Sequence, residues 1–380
     1  MRIPRTIAVI VALPVLALAC SRGPGHPATT STASTTPSHP QSSASAADPG
    51  VPACGDGSAL LDSMSTRDKL AQLLMVGVTG ADDARTVVAG QHVGGIFIGG
   101  WTDLSMLSDG ALAGIARAAG PLPLAVSVDE EGGRVDRLAS LIGAAPAPRT
   151  LAQTSTPDEV YELALERGRK MRTLGITVDF APVVDVTDAP ADTVIGDRSF
   201  SADPGVVTRY GEAFARGLRD AGVLPVLKHF PGHGRASGDS HTGAVVTPPL
   251  GDLQNVDVVP YRTLVAQAPV GVMVGHLQVP GLTGSDPASL SPPAYTLLRE
   301  GTGYGGPPFD GPVFTDDLSS MRAISDRYGV ADAVLKALQA GADTALWVTT
   351  TEVPAVLDRL ESALAGGELG MASVDASLLR

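Results

Sequence analysis

Apolar positions along the chain fall into short, nearly continuous runs separated by longer stretches in which they recur every three or four residues. The short runs, bounded by turn-forming residues, read as buried strands, and the longer stretches read as amphipathic helices. Ser65 or Thr66 suits a helix cap before RDKLAQ, and the first strand run, LLMVGV, follows at 73–78. VGGIFIGG occupies 93–100, and beyond a helix-compatible segment centred on 107–120 comes LPLAVSVDEEGGR at 122–134. A helical stretch at 160–175 precedes ITVDFAPVVDV at 176–186, and a strongly amphipathic one at 206–222 precedes VLPVLKHFPGHG at 223–234. VGVMVGHLQVP at 270–280, GPVFTDDLSS at 311–320 and DTALWVT at 343–349 each follow an interval of helix length.

Eight such strands alternating with helices predict an α/β fold, a parallel (β/α)8 TIM-type barrel built as a single catalytic domain. A doubly wound open sheet is the alternative. The polar residues favour the barrel, because Asp129, Asp185, Lys228, His229, His276 and Asp316 fall at or near the C-terminal ends of their strands, the rim on which barrels carry their sites. An open sheet would gather them at one switch point. No glycine-rich nucleotide fingerprint follows any strand, so no cofactor is expected.

Ahead of the first strand the pattern changes. Arg2 and Arg5 precede an apolar run from Ile7 to Ala19, which reads as a signal peptide over 1–20. Ala17 and Ala19 lead into Cys20, and this resembles a bacterial lipobox, with Ala17 standing where leucine is commonest. The resemblance implies lipidation at Cys20; a plain secretory leader is the alternative. Residues 21–53 are rich in Ser, Thr, Pro and Ala and read as a disordered tether, leaving 54–380 as the catalytic domain. The expected location is therefore the outer face of the cell membrane, held by a lipid anchor, with partial secretion as a variant of it. Once Cys20 is lipidated only Cys54 remains, so no internal disulfide forms.

Charge narrows the partners. A net charge of -13 offers no basic face for phosphate, which argues against a nucleic-acid partner. Aromatic residues make up 4% of the chain, so polar hydrogen bonds must carry most of the recognition of a ligand.

Candidate chemistry concentrates in 226–243, VLKHFPGHGRASGDSHTG. Lys228 and His229 end a strand and pair a fixed cation with a second donor, a combination suited to ligand hydroxyls; a structural ion pair is the other role open to Lys228. Asp239 lies two residues before His241, close enough to orient its imidazole. In VFTDDLSS the strand runs into two carboxylates. Asp316 is read as facing a pocket, where partial desolvation suits a nucleophilic or electrostatic role, and Asp317 as the cap of the following helix, with the reverse assignment open. His229, His233, Asp239 and His241 could instead be read as metal ligands. Barrel amidohydrolases usually place an HxH pair on their first strand, which this chain lacks, so no metal site is expected.

Six stretches, VDEEGGRVDR (128–137), ITVDFAPVVDV (176–186), IGDRSF (195–200), KHFPGHG (228–234), GDSH (238–241) and VFTDDLS (313–319), together resemble family 3 glycoside hydrolases of the β-N-acetylglucosaminidase subgroup, in the family's order and across most of the domain. The resemblance implies that Asp316 is the catalytic nucleophile, and that His241, paired with Asp239 on a mobile loop, is the general acid/base. It implies that Asp129, Lys228 and His229 hold the terminal sugar, with Arg137 and Arg198 completing the polar ring. A loop salt bridge is the alternative for Arg198. The activity implied is retaining removal of terminal β-linked N-acetylglucosamine, with muropeptides or wall glycan as the carbohydrate substrate, by a monomer. A broader β-glucosidase, a phosphorylase and a non-catalytic sugar-binding lipoprotein are the alternatives. The sequence departs from the family pattern at Arg235, after Asp317 and on the eighth strand.

Overall fold

The structure, a computed structural model, describes residues 57–380. The leader, Cys20, the tether and Cys54 lie outside the described residues. Each of the eight apolar runs contains one strand of a single parallel sheet: β1 Leu74–Val78, β2 Gly95–Ile98, β3 Ala125–Val128, β4 Val178–Asp179, β5 Leu224–Phe230, β6 Gly271–Val274, β7 Val313–Thr315 and β8 Ala345–Trp347. Every strand pairs with its sequence neighbour from β1 to β7, and β1 also pairs with β8. Between β7 and β8 a bridge joins Phe314 to Thr344, with Thr315 N donating to Thr344 O at 3.1 Å. The ring closes as a barrel, and the open-sheet alternative is excluded.

Alternation along the strands builds two cores. Met75, Phe97, Val178, Val226, Met273, Phe314 and Leu346 point inward and fill the barrel with Phe180. Residues of the opposite parity, such as Leu74, Val76 and Val78 on β1, pack outward against the helices. Gly77 serves the seam between β1 and β8, since a Cβ there would lie 2.7 Å from the Val348 carbonyl oxygen and 2.8 Å from its Cα.

Local signals set the helix starts. Ser65 caps Thr66–Ala71 by accepting from Asp68 N. Thr156 and Glu159 form a reciprocal capping box at the head of Pro157–Thr173, and Asp203 caps Pro204–Asp220. The segment centred on 107–120 is two short helices, Ser105–Ser108 and Ala111–Arg117, split at Asp109 and Gly110. The run at 122–134 ends β3 at Val128 and then turns into a small rim hairpin, Glu130–Gly132 against Val135–Asp136. In the fourth run only two residues join the ladder, and the chain continues beside β5 with Val184 N bonded to Lys228 O at 2.8 Å.

Candidate active site

The strand tips open into a cavity of about 270 Å³. Its wall includes Asp129, Arg137, Arg198, Lys228, His229, His241 and Asp316, which brings together all but one of the side chains assigned to the site within 57–380. Asp239 stands behind that wall and reaches it through His241.

The polar side is organised by one buried cation. Lys228 Nζ, on β5, lies 2.6 Å from Asp129 Oδ1 and 2.6 Å from Glu131 Oε1, and the lysine is 2% exposed. Glu131 also accepts two bonds from Arg198, Nε and Nη2 each at 2.8 Å. Burial works against every one of these charges, but their mutual attraction wins: Glu131 is held below the usual carboxylate range, and Lys228 and Arg198 are raised. The loop salt bridge and the cavity position of Arg198 are therefore one arrangement. Arg137 lines the same wall, and its Nε has no hydrogen-bond partner among the described residues.

His229 is fixed by Asp185. Asp185 Oδ2 lies 2.7 Å from His229 Nδ1, while Oδ1 accepts from His233 N at 2.6 Å. The imidazole's other nitrogen, Nε2, is thus the one left for the cavity. His233 stacks edge-on to His229 with ring centres 5.8 Å apart, and burial together with the neighbouring His229 depresses its pKa, keeping it neutral. The Lys228–His229 peptide is cis, as is Phe230–Pro231.

Asp316 follows β7 directly. Burial opposes its ionisation, but the charges of His276, His229 and Lys228 and the Asp317 N–H, which donates to Oδ1 at 2.9 Å, hold the carboxyl below its ordinary value. The neighbouring Asp317 is 6% exposed, and its oxygens are taken up by Ser319 and Ser320, through N–H and hydroxyl in both cases. It caps the turn 317–320 and not a helix; the helix Arg322–Ser325 begins further on and has no side-chain cap. His276 Nε2 donates to the Asp317 carbonyl at 2.7 Å and pins this turn to the end of β6.

His241 is carried by the loop after β5. The loop is closed at its neck by a Ser237–Val246 bridge and by Arg235, which contacts Asp257 at 2.6 Å. Next to its tip, Ser240 is buried and its carbonyl accepts from Ala323 N at 3.1 Å. His241 stays 58% exposed at the side chain. Asp239 Oδ1 accepts from His241 N at 2.9 Å and lies 2.8 Å from Nδ1. That contact leaves Nε2 as the ring nitrogen that Asp239 does not occupy.

Glu131, His233 and Trp101 also line the cavity and had not been assigned to it. Period-two alternation in VDEEGGR could have found Glu131, because residues 129 and 131 share a side of an extended chain. Trp101 lies just past β2 in a segment with no motif. Among the described residues no group of three or more His, Cys, Asp or Glu side chains is arranged to hold a metal ion.

Comparison with known proteins agrees with this architecture. Residues 65–380 match the family model described as "Glycosyl hydrolase family 3 N terminal domain". The chain is 65% identical over 381 residues to "Beta-hexosaminidase LpqI" of Mycobacterium tuberculosis, covering 100% of this chain and 97% of that protein. A solved structure of M. tuberculosis LpqI superposes with a TM-score of 0.85 at 70% identity, over 86% of this chain and 96% of that one. A family 3 β-N-acetylglucosaminidase from Paenibacillus sp. superposes with a TM-score of 0.77 at 34% identity, over 83% and 61% of the two chains.

Proposed function

Because the chain belongs to glycosyl hydrolase family 3 and is a β-hexosaminidase, we propose that it is a retaining exo-β-N-acetylglucosaminidase working through Asp316 and the His241–Asp239 pair. The observation that carries this reading is Asp316 itself. It is a carboxylate kept ionised against its burial, at a strand tip, in the same cavity as an oriented imidazole and a buried cation–carboxylate cluster.

Asp129, Lys228, His229, Arg137 and Arg198 would hold the terminal sugar. An Asp316 oxygen then bonds to the anomeric carbon as the bond to the aglycone oxygen breaks. That oxygen keeps the electron pair and takes a proton from His241 Nε2. In the second half a water oxygen bonds to the anomeric carbon, its proton passes to His241 Nε2, and the Asp316 carboxylate departs. Asp239 accepts from Nδ1–H throughout, so the same nitrogen serves as acid and as base.

A chromogenic β-N-acetylglucosaminide tests this. Asp316→Ala should lower kcat by about 10³-fold or more, and NMR should find the β-anomer formed first. An α-anomer, or a rate unaffected in Asp316→Ala, would refute the assignment.

The physiological substrate in this reading is terminal β-linked N-acetylglucosamine on peptidoglycan fragments, met by an exported enzyme anchored at Cys20. The signal-peptide pattern of 1–20 and the lipobox-like cysteine support it. Soluble domain incubated with muropeptides should release N-acetylglucosamine detectable by mass, and Cys20→Ala should abolish labelling of the full chain by a fatty-acid probe. Preferential cleavage of plain glucosides, or undiminished labelling, would count against the respective halves.

A further inference from the structure

The cavity wall is divided by chemistry. Its β3 and β5 side presents Asp129, Glu131, Lys228 and His229, whereas its β2 and β8 side presents Phe97, Trp101, Leu346 and Val348. The apolar residues nearest the barrel axis are buried, but Trp101 is 49% exposed. An aromatic face held open to water costs hydrophobic free energy that folding does not recover.

This face is also held rigidly. The indole lies directly on Gly99, where a Cβ would come within 2.4–2.6 Å of three ring atoms, and tilts against Phe97 with centroids 5.9 Å apart. The turn beneath it is tied at both ends. Thr102 N donates to Gly99 O at 3.1 Å, Gly99 N donates to Thr102 Oγ1 at 3.0 Å, and that hydroxyl donates to Val78 O on β1 at 2.6 Å. Such pre-organisation is what a binding platform requires, because little freedom is left to lose when a ligand arrives.

We propose that Trp101 is the platform for the sugar on the leaving side of the scissile bond, stacking against its C–H face. The proposal rests on the exo-glycosidase reading above. In that reading the anomeric carbon sits deep in the cavity at Asp316, so the departing unit lies toward the mouth, where Trp101 stands. The indole N–H has no protein partner among the described residues and is free for a hydroxyl of that unit. Selectivity for a saccharide aglycone over a small leaving group would then arise just past β2, at a residue outside the set that grips the terminal sugar.

Two substrates separate the roles: a β1,4-linked N-acetylglucosamine disaccharide, which fills the leaving side, and N-acetylglucosaminyl β-fluoride, which places a single atom there. Trp101→Ala should lose about tenfold in kcat/KM on the disaccharide, at least five times its loss on the fluoride, with Trp101→Phe recovering most of it. Gly99→Ala, which pushes the ring off its seat, should show the same selective loss. The chain has two tryptophans, and the other, Trp347, is fully buried. Disaccharide added to the Asp316→Asn protein should therefore quench the emission of Trp101, and the quench should vanish in Trp101→Phe. Equal losses on both substrates, no loss on the disaccharide, or a quench that survives Trp101→Phe would overturn the platform. A wild type inactive on both substrates would overturn the glycosidase reading beneath it.

Discussion

Glu131 shows how much of the site depends on a residue with no predicted chemistry of its own. It is 1% exposed at the side chain, and both Lys228 and Arg198 are bound to it. Removing its charge takes from Arg198 its salt-bridge partner and from Lys228 one of its two. Glu131→Gln should therefore cost about 3–5 kcal/mol of stability and raise KM on the chromogenic substrate; thermal unfolding and steady-state kinetics read the two effects separately. A lower melting point with unaltered KM would mean that the cluster is only structural. Asp239 acts differently, through the orientation of an exposed imidazole, so Asp239→Asn should lower kcat by about 10–100-fold with little change in KM. An effect confined to KM would contradict that role. The sequence made Asp129, Lys228, Asp239, His241 and Asp316 legible because each falls at a strand end or beside an obvious partner. Spacing alone left Asp316 against Asp317 open, and only the family resemblance chose between them. The difference arises from Ser319, Ser320 and His276, which occupy Asp317 and its carbonyl, and the last of these lies 41 residues away.

At the level of elements, the eight strands were legible because strands covered on both faces read as nearly continuous apolar runs, and eight of these alternate with helical stretches beyond residue 57. Their lengths were not. The fourth run shrank to two paired residues and the third ended in a rim hairpin, since a period-two or all-apolar pattern does not say where a ladder stops. The loop carrying His241 was still less legible: its neck is tied to Asp257, 22 residues on, and its tip to Ala323, contacts that no local pattern encodes. The barrel seam permits a sharper test. Gly77 lies against the Val348 backbone, which has no rotamer with which to yield. Gly77→Ala should separate β1 from β8 and cost about 1–3 kcal/mol, seen as a lower urea midpoint. An unchanged midpoint would mean that the closing pair of strands can move apart freely.

For the molecule as a whole, the acidic balance extends into the interior. Asp179 is fully buried, with one carboxylate oxygen accepting from Glu130 N at 2.9 Å and the other without a partner, and burial pushes its pKa up to about 7. Asp257 is pushed up to about 6 and Glu130 to about 9, in both cases first by burial. Glu130 is raised although Arg167 bonds it, by burial first and then by Asp136, which takes a bond from the same arginine at 3.1 Å. The sign follows directly. In the unfolded chain these groups ionise near the ordinary carboxylate values of 3.8 and 4.5, while the folded protein retains their protons. Between those values and the raised ones the native state binds more protons, so stability falls as pH rises. The decline due to Asp257 ends near pH 6, that due to Asp179 near 7 and that due to Glu130 near 9. Asp179→Asn keeps an acceptor for Glu130 N and removes the titration. Between about pH 4 and 7 the wild type should lose up to about 1.4 kcal/mol per pH unit more than this variant. Urea unfolding at pH 5, 6, 7 and 8 measures the difference directly, with net-charge repulsion nearly common to both chains. The variant should gain on the wild type through pH 7 and then run parallel to it, whereas parallel curves from pH 5 upward would show that Asp179 is already ionised in the folded protein.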